Sequence, residues 1–310
     1  MPYPHCTTHV YLGEDVLYFS HISLKEGNYM ATKKSISAAK KSTTKPSTTS
    51  KPKTTTKVTT VKAVEAPKKV AVKTFSFSRS PIVGAAIAEL IGTFLLAAVV
   101  IATSGQPLFV MFGLVAIVLA IGAFSGAHVN PLLTVGAWVT RKITGVRALA
   151  YIVAQALGAL LALVVLSAFV QQAPAADPQM AMLGQNAAEL FKAAVIPEGK
   201  EWAVLFAELL GSVIFAFAVA SALRIKERIG AAFTVGAGLY TALLIGGSAA
   251  VLVGGGAIIN PAVAIALQAF SGLKDVWPIV IYGLVPLIGG VIGFALNDVL
   301  NRETVKEDIL

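Results

Sequence analysis

Cysteine is nearly absent. Cys6 is the only one in 310 residues, so neither an intrachain disulfide nor a thiolate metal centre can form. Histidine is scarce where it would matter: His5, His9 and His21 lie in the first 30 residues, and His128 stands alone thereafter. That excludes an imidazole cluster for zinc or iron. Charge is short too, at 13% of residues against 56% hydrophobic and a mean hydropathy of +0.76, which excludes an ordinary water-soluble globule. No nucleophile with a base, no metal cluster and no phosphate-binding glycine loop occurs. The chain is therefore expected to be neither an enzyme nor a cofactor binder.

The formal net charge of +9 does not belong to the oily part. Residues 1–30 carry −2, residues 31–80 carry 13 basic residues against Glu65 for +12, and residues 81–310 carry −1. The basic stretch is mostly Lys, Ser, Thr, Ala, Val and Pro, as in Lys40-Lys41-Ser42-Thr43-Thr44-Lys45-Pro46, and has no period that could bury a core. Residues 1–80 are thus expected to be a disordered basic tail. It reads as a solvated segment that reinforces topology rather than a tether to anionic lipid, and no specific nucleic-acid binding is expected. Residues 1–29 differ in composition from everything after them, and Met30-Ala31-Thr32-Lys33-Lys34 resembles a natural start, so 1–29 are expected not to be translated. A cleaved signal peptide is not expected there, since no apolar run follows a basic cluster.

After Pro81 the apolar runs lengthen. A bilayer crossing needs about 20 residues, and six runs meet that need: 82–102, 107–123, 146–170, 202–222, 230–253 and 276–297. Two more, 130–139 and 260–270, reach halfway at most, and each begins with Asn-Pro. Arg141, Lys142 and Arg147, then Arg224, Lys226 and Arg228, then Arg302 and Lys306 flank alternate ends. By the positive-inside rule these are cytoplasmic, which puts both termini inside, with a membrane domain over 81–300 and a cytoplasmic tail over 301–310.

The membrane domain repeats itself. Ala88-Glu89-Leu90-Ile91-Gly92-Thr93 recurs as Ala207-Glu208-Leu209-Leu210-Gly211-Ser212, Asn130 pairs with Asn260, and Gly158 pairs with Gly289. The halves, 82–170 and 202–297, have three spans each. An odd number forces them to be inverted, which points to a pathway at their interface. The fold class is an all-α membrane protein of six spans and two re-entrant half-helices. Pro131 and Pro261 suit the first helical position, and Asn130 and Asn260 suit the cap. Non-helical backbone at membrane depth must be buried or line a wet cavity, so 125–129 and 254–259 are expected to do so. Two helix N-termini meeting there repel cations and favour a solute's oxygen, to which both Asn amides donate.

Ser125-Gly126-Ala127-His128-Val129-Asn130-Pro131, together with Asn260-Pro261-Ala262, resembles the signature of the major intrinsic proteins, the aquaporins and aquaglyceroporins. The resemblance spans residues 82 to about 297 and departs from the family's first Asn-Pro-Ala at Leu132. It implies a homotetramer in the cell membrane, each subunit passing water and small neutral solutes such as glycerol or urea across the lipid bilayer. It implies further that Glu89 and Glu208 accept hydrogen bonds from the re-entrant backbone and that His128 braces its loop. Gln155 is expected to be a polar contact between helices.

The family's narrowest filter carries an arginine three residues after the second Asn, where this chain has Val263. The neighbouring filter position falls on Ala257. Counting back without gaps places the other two at Val110 and Ser248, with Phe112 or Ile245 as shifted alternatives. Such a filter is wider and more apolar than one selecting water alone. A secondary transporter or a non-conducting scaffold of the same fold are the other classes such a sequence allows.

Overall fold

The computed structural model describes residues 81–173, 188–271 and 275–307. The tail over 1–80, with its start-site reading, lies outside the described residues. Among the described residues six helices are long and apolar enough to cross a membrane: α1 (Ile82–Ala102), α2 (Pro107–Ser125), α4 (Gly145–Gln171), α5 (Glu201–Ala222), α6 (Arg228–Val251) and α8 (Ile279–Asn301), the last continuing to Glu307. Between them lie the short helices α3 (Pro131–Val139) and α7 (Pro261–Ala266). Among the described residues there is no strand.

Local chemistry sets the helix ends. Pro107, Pro131 and Pro261 each occupy a first turn, where a missing amide proton costs nothing. The Thr144 hydroxyl accepts from Arg147 N–H at 3.4 Å to open α4, and the Glu227 carboxylate caps α6 through the Ile229 and Gly230 amides. Gly126, at φ 90°, turns the chain out of α2. The half-helices end alike. Arg141 (φ 62°) and Gln268 (φ 58°) are left-handed, with Lys142 N–H reaching the Ala137 carbonyl and Ala269 N–H the Ala264 carbonyl. This is the Schellman arrangement, formed here without its usual glycine. It stops α7 after six residues, short of the 260–270 expected.

The two halves pack by the same plan. α1 lies along α4 and α5 along α8, α2 meets α6 between the halves, and the half-helices cross over, α3 onto α8 and α7 onto α4. Glycine makes the closest approaches. A Cβ on Gly158 would overlap the Leu90 carbonyl of α1, and one on Gly290 the Leu132 carbonyl of α3. The outer faces carry exposed Val83, Leu149, Phe206 and Ile288, as a lipid-facing surface requires. Glu89, Gln155 and Glu208 are fully buried inside the bundle.

Candidate functional site: the crossed asparagine loops

Residues 127–129 and 256–259 bring the chain to α3 and α7 without helical hydrogen bonding. Immediately before each asparagine a β-branched residue is left-handed, Val129 at φ 42° and Ile259 at φ 57°. Such residues rarely take this conformation, at a cost of roughly 1–3 kcal/mol each. Buried carboxylates hold them there. Glu89 accepts from His128 N–H at 2.9 Å and Val129 N–H at 2.7 Å. Glu208 accepts from Ile258 N–H at 2.9 Å and Ile259 N–H at 2.6 Å. Two consecutive amides of each loop are thereby satisfied by one side chain from the first helix of its own repeat.

The twist points the Val129 and Ile259 carbonyls across the repeat interface. Asn130 Nδ2 donates to the Ile259 carbonyl at 2.8 Å, and Asn260 Nδ2 donates to the Val129 carbonyl at 3.0 Å. Meanwhile each Oδ1 caps its own half-helix: Asn130 accepts from Leu132 N–H at 2.9 Å, and Asn260 from Ala262 N–H at 3.0 Å. Each amide nitrogen has two protons, and one is committed to this lock. The expectation that both amides serve the solute outright is therefore narrowed to one N–H apiece.

The halves differ around this lock. In the first, Gln155 Nε2 donates to Glu89 at 2.8 Å and to Thr134 Oγ1 at 2.9 Å. Thr134 Oγ1 also lies 3.0 Å from His128 Nδ1. Tyr151 donates to the Ser125 carbonyl at 2.7 Å and stands edge-on to the His128 ring. In the second, Ile258, Ala264 and Pro286 occupy the positions of His128, Thr134 and Gln155. Only Tyr282, donating to the Gly256 carbonyl at 3.1 Å, parallels Tyr151.

A cavity of about 200 Å³ runs against the crossed loops. Asn130, Asn260, His128, Val110, Ala257 and Val263 border it; Glu89, Glu208, Pro131, Leu132, Pro261 and Ala262 do not. Ser248 does not either. It is exposed on the outer side of α6, as is the shifted alternative Ile245, and the other alternative, Phe112, is exposed on α2. Leu239 and Leu243 line the cavity from that helix instead. Counting without gaps ran through the glycine-rich descent after Val251 and landed five residues late, on the far side of a helix that also widens into a π turn at Leu243–Gly247. Phe191 and Lys192, from the connection between α4 and α5, also border the cavity and were not anticipated. Leu190-Phe191 and the Ala193-Ala194-Val195-Ile196 that follows Lys192 form a short apolar stretch, the one signal in the sequence for them.

Six spanning helices in two inverted halves, with two half-helices meeting at capped N-termini, define a membrane channel architecture. The chain belongs to the major intrinsic protein family, whose family model matches residues 76–297. It is thus a multi-pass membrane protein of a family of channels rather than enzymes. It is similar to Aquaporin AqpM of Methanothermobacter marburgensis, 27% identical over 199 residues, covering 62% of this chain and 74% of that one. It is also similar to Glycerol uptake facilitator protein-like 6 of Lactiplantibacillus plantarum, 28% identical over 230 residues and covering 70% and 98%. The solved aquaglyceroporin from Plasmodium falciparum shares the fold, with TM-score 0.52 at 19% identity over 70% of this chain and 96% of that one.

Proposed function

We propose that the chain is a passive channel for water and small neutral solutes of the size of glycerol and urea, which pass Asn130 and Asn260. The observation that carries this is the crossed lock. It holds two asparagine amides at the wall of one cavity, each with an N–H to offer a solute oxygen, while the surrounding wall is largely apolar. A molecule that exchanges hydration for these contacts crosses at little net cost. A bare ion loses its hydration shell and recovers little. A relative named as a glycerol uptake facilitator and others named as aquaporins support this solute class.

Val110, Ala257 and Val263, joined by Leu243 rather than Ser248, form the selectivity region in this proposal. Their small apolar side chains leave room for a carbon skeleton and provide no guanidinium to orient a polyol. Glu89, Glu208 and His128 are loop braces. The subunit resides in the plasma membrane as a homotetramer with both termini in the cytoplasm. This orientation is supported by Lys142 and Arg224, which reach Asp298 at 2.7 Å and Asn297 at 2.7 Å and so gather the basic connections at one end of α8.

Stopped-flow light scattering on proteoliposomes tests the proposal. Osmotic shrinkage faster than in empty vesicles is expected, followed by re-swelling in glycerol or urea. Volume changes no faster than in empty vesicles overturn it, and saturable gradient-driven uptake identifies a transporter instead. Val263→Arg narrows the solute range, and unchanged selectivity removes position 263 from the filter.

A further inference from the structure

Among the described residues that border the cavity, Lys192 alone carries a formal charge; the other polar ones are His128, Asn130 and Asn260. Lys192 is exposed, so it stands at the open mouth rather than at the asparagine lock. Its segment is pinned on both sides. Ala193 N–H donates to the Leu267 carbonyl, just past the end of α7, at 2.9 Å. Phe191 packs on the core beside Gly105, Ala194 lies against Gly256, and Pro197 against Gly254 and Gly255. The connection is thus tied to the loop that leads to Asn260.

Among the described residues no carboxylate pairs with Lys192; Asp298 pairs with Lys142 instead. Glu189 and Glu198 of the same connection, and Glu201 at the start of α5, do not border the cavity. Val263, buried in the wall, contributes no charge.

We propose that Lys192 is the specificity-determining charge of this channel, a cationic residue at the mouth that turns away solute-sized cations. The inference rests on the channel function proposed above. A single charge at the rim of an apolar funnel acts strongly because field lines concentrate where the walls have low polarisability; such focusing changes local ion concentration by about tenfold or more. The ammonium sits on a connection rather than on the half-helix, so it leaves the width set by Val263 and Ala257 unobstructed. Size selection and charge selection are thereby assigned to different residues.

Urea and guanidinium have nearly the same planar shape and differ by one charge, which isolates the effect. Tracer influx of both into proteoliposomes is measured for wild type, Lys192→Gln, Lys192→Glu and Lys192→Arg, and guanidinium is expressed relative to urea in the same vesicles. Differences in folding and incorporation then cancel. In wild type urea enters and guanidinium is excluded. Lys192→Gln raises the ratio about tenfold at 10 mM salt, Lys192→Glu raises it further, and Lys192→Arg keeps it low. At 1 M salt, where screening acts over about 3 Å, the variants converge. A ratio that is the same in all four proteins while urea still enters overturns the role of Lys192 and leaves the channel intact. Absence of any water or urea flux in wild type overturns the channel function and this inference together.

Discussion

The two buried glutamates occupy equivalent places in the repeats, yet their replacement by glutamine is expected to have unequal effects. In each case both carboxylate oxygens accept from backbone N–H groups, and an amide presents only one acceptor. Glu208→Gln turns an NH₂ towards either Ile258 N–H or Ile259 N–H, currently held at 2.9 and 2.6 Å. One bond to a charged acceptor is lost and its buried donor is left unpaired, at the upper end of roughly 1–3 kcal/mol. About 3 kcal/mol in total follows, or a fall in Tm of roughly 6–12 °C at about 2–4 °C per kcal/mol for a body of this size. Glu89→Gln meets a more forgiving setting. Gln155, now donating to Glu89 at 2.8 Å, can turn its amide and accept from the new NH₂, while Thr134 holds the other end. Its loop is also tied by Ser125 Oγ, which accepts from Ala127 N–H at 3.0 Å, and by Tyr151. About half the cost, roughly 3–6 °C, is expected there. Thermal unfolding in detergent, read alongside stopped-flow water permeability, separates the two. Equal shifts, or a larger one for Glu89→Gln, refute the argument that the polar network of the first half supports its loop independently of the carboxylate.

Other perturbations probe other parts of the architecture. Leu243→Trp is expected to obstruct the cavity and abolish accelerated shrinkage in the vesicle assay, whereas Ser248→Trp on the outer face leaves it in place. Gly158→Ala brings a methyl onto the Leu90 carbonyl and should cost about 1–3 kcal/mol by overpacking, seen as a lower Tm; Gly84→Ala, with open space around it, should not lower it. The Glu227 carboxyl is held below its ordinary value by the Gly230 and Ile229 amides it caps. Its contribution is therefore present above about pH 4.5 and lost as pH falls through the lower folded value. A Tm difference between wild type and Glu227→Gln that persists at pH 7 and narrows as pH falls below about 4.5 is expected, and a difference independent of pH contradicts the capping assignment.

The sequence announces the spans and the paired Asn-Pro steps because both rest on short-range rules: apolar length against bilayer thickness, and proline after a capping residue. Their placement in the structure follows within a few residues, as for 202–222 against Glu201–Ala222. Features that depend on how the two halves meet were hidden. Nothing in Val129 or Ile259 suggests left-handed backbone; propensity opposes it, and buried carboxylates impose it from another helix. Arg141 and Gln268 likewise end their helices in a conformation usually given to glycine. Ser248 failed because helical phase cannot be carried through a glycine-rich descent by counting, and Lys192 was missed because its connection shows no periodicity to aim it.

The locking pattern bears on why the asparagines occur as a pair rather than singly. Each Oδ1 fixes its own half-helix, and each Nδ2 fixes the other half's strained carbonyl, so neither half can set its own loop geometry alone. Replacing one asparagine by leucine releases a cap on one side and a carbonyl on the other. The disturbance is therefore shared by both loops, even though a single repeat was altered. A double replacement removes the same two carbonyl contacts that each single change already weakens, so its cost falls short of the sum. The midplane geometry is in this sense a property of the repeat interface, which is also where Asn130 and Asn260 border the cavity.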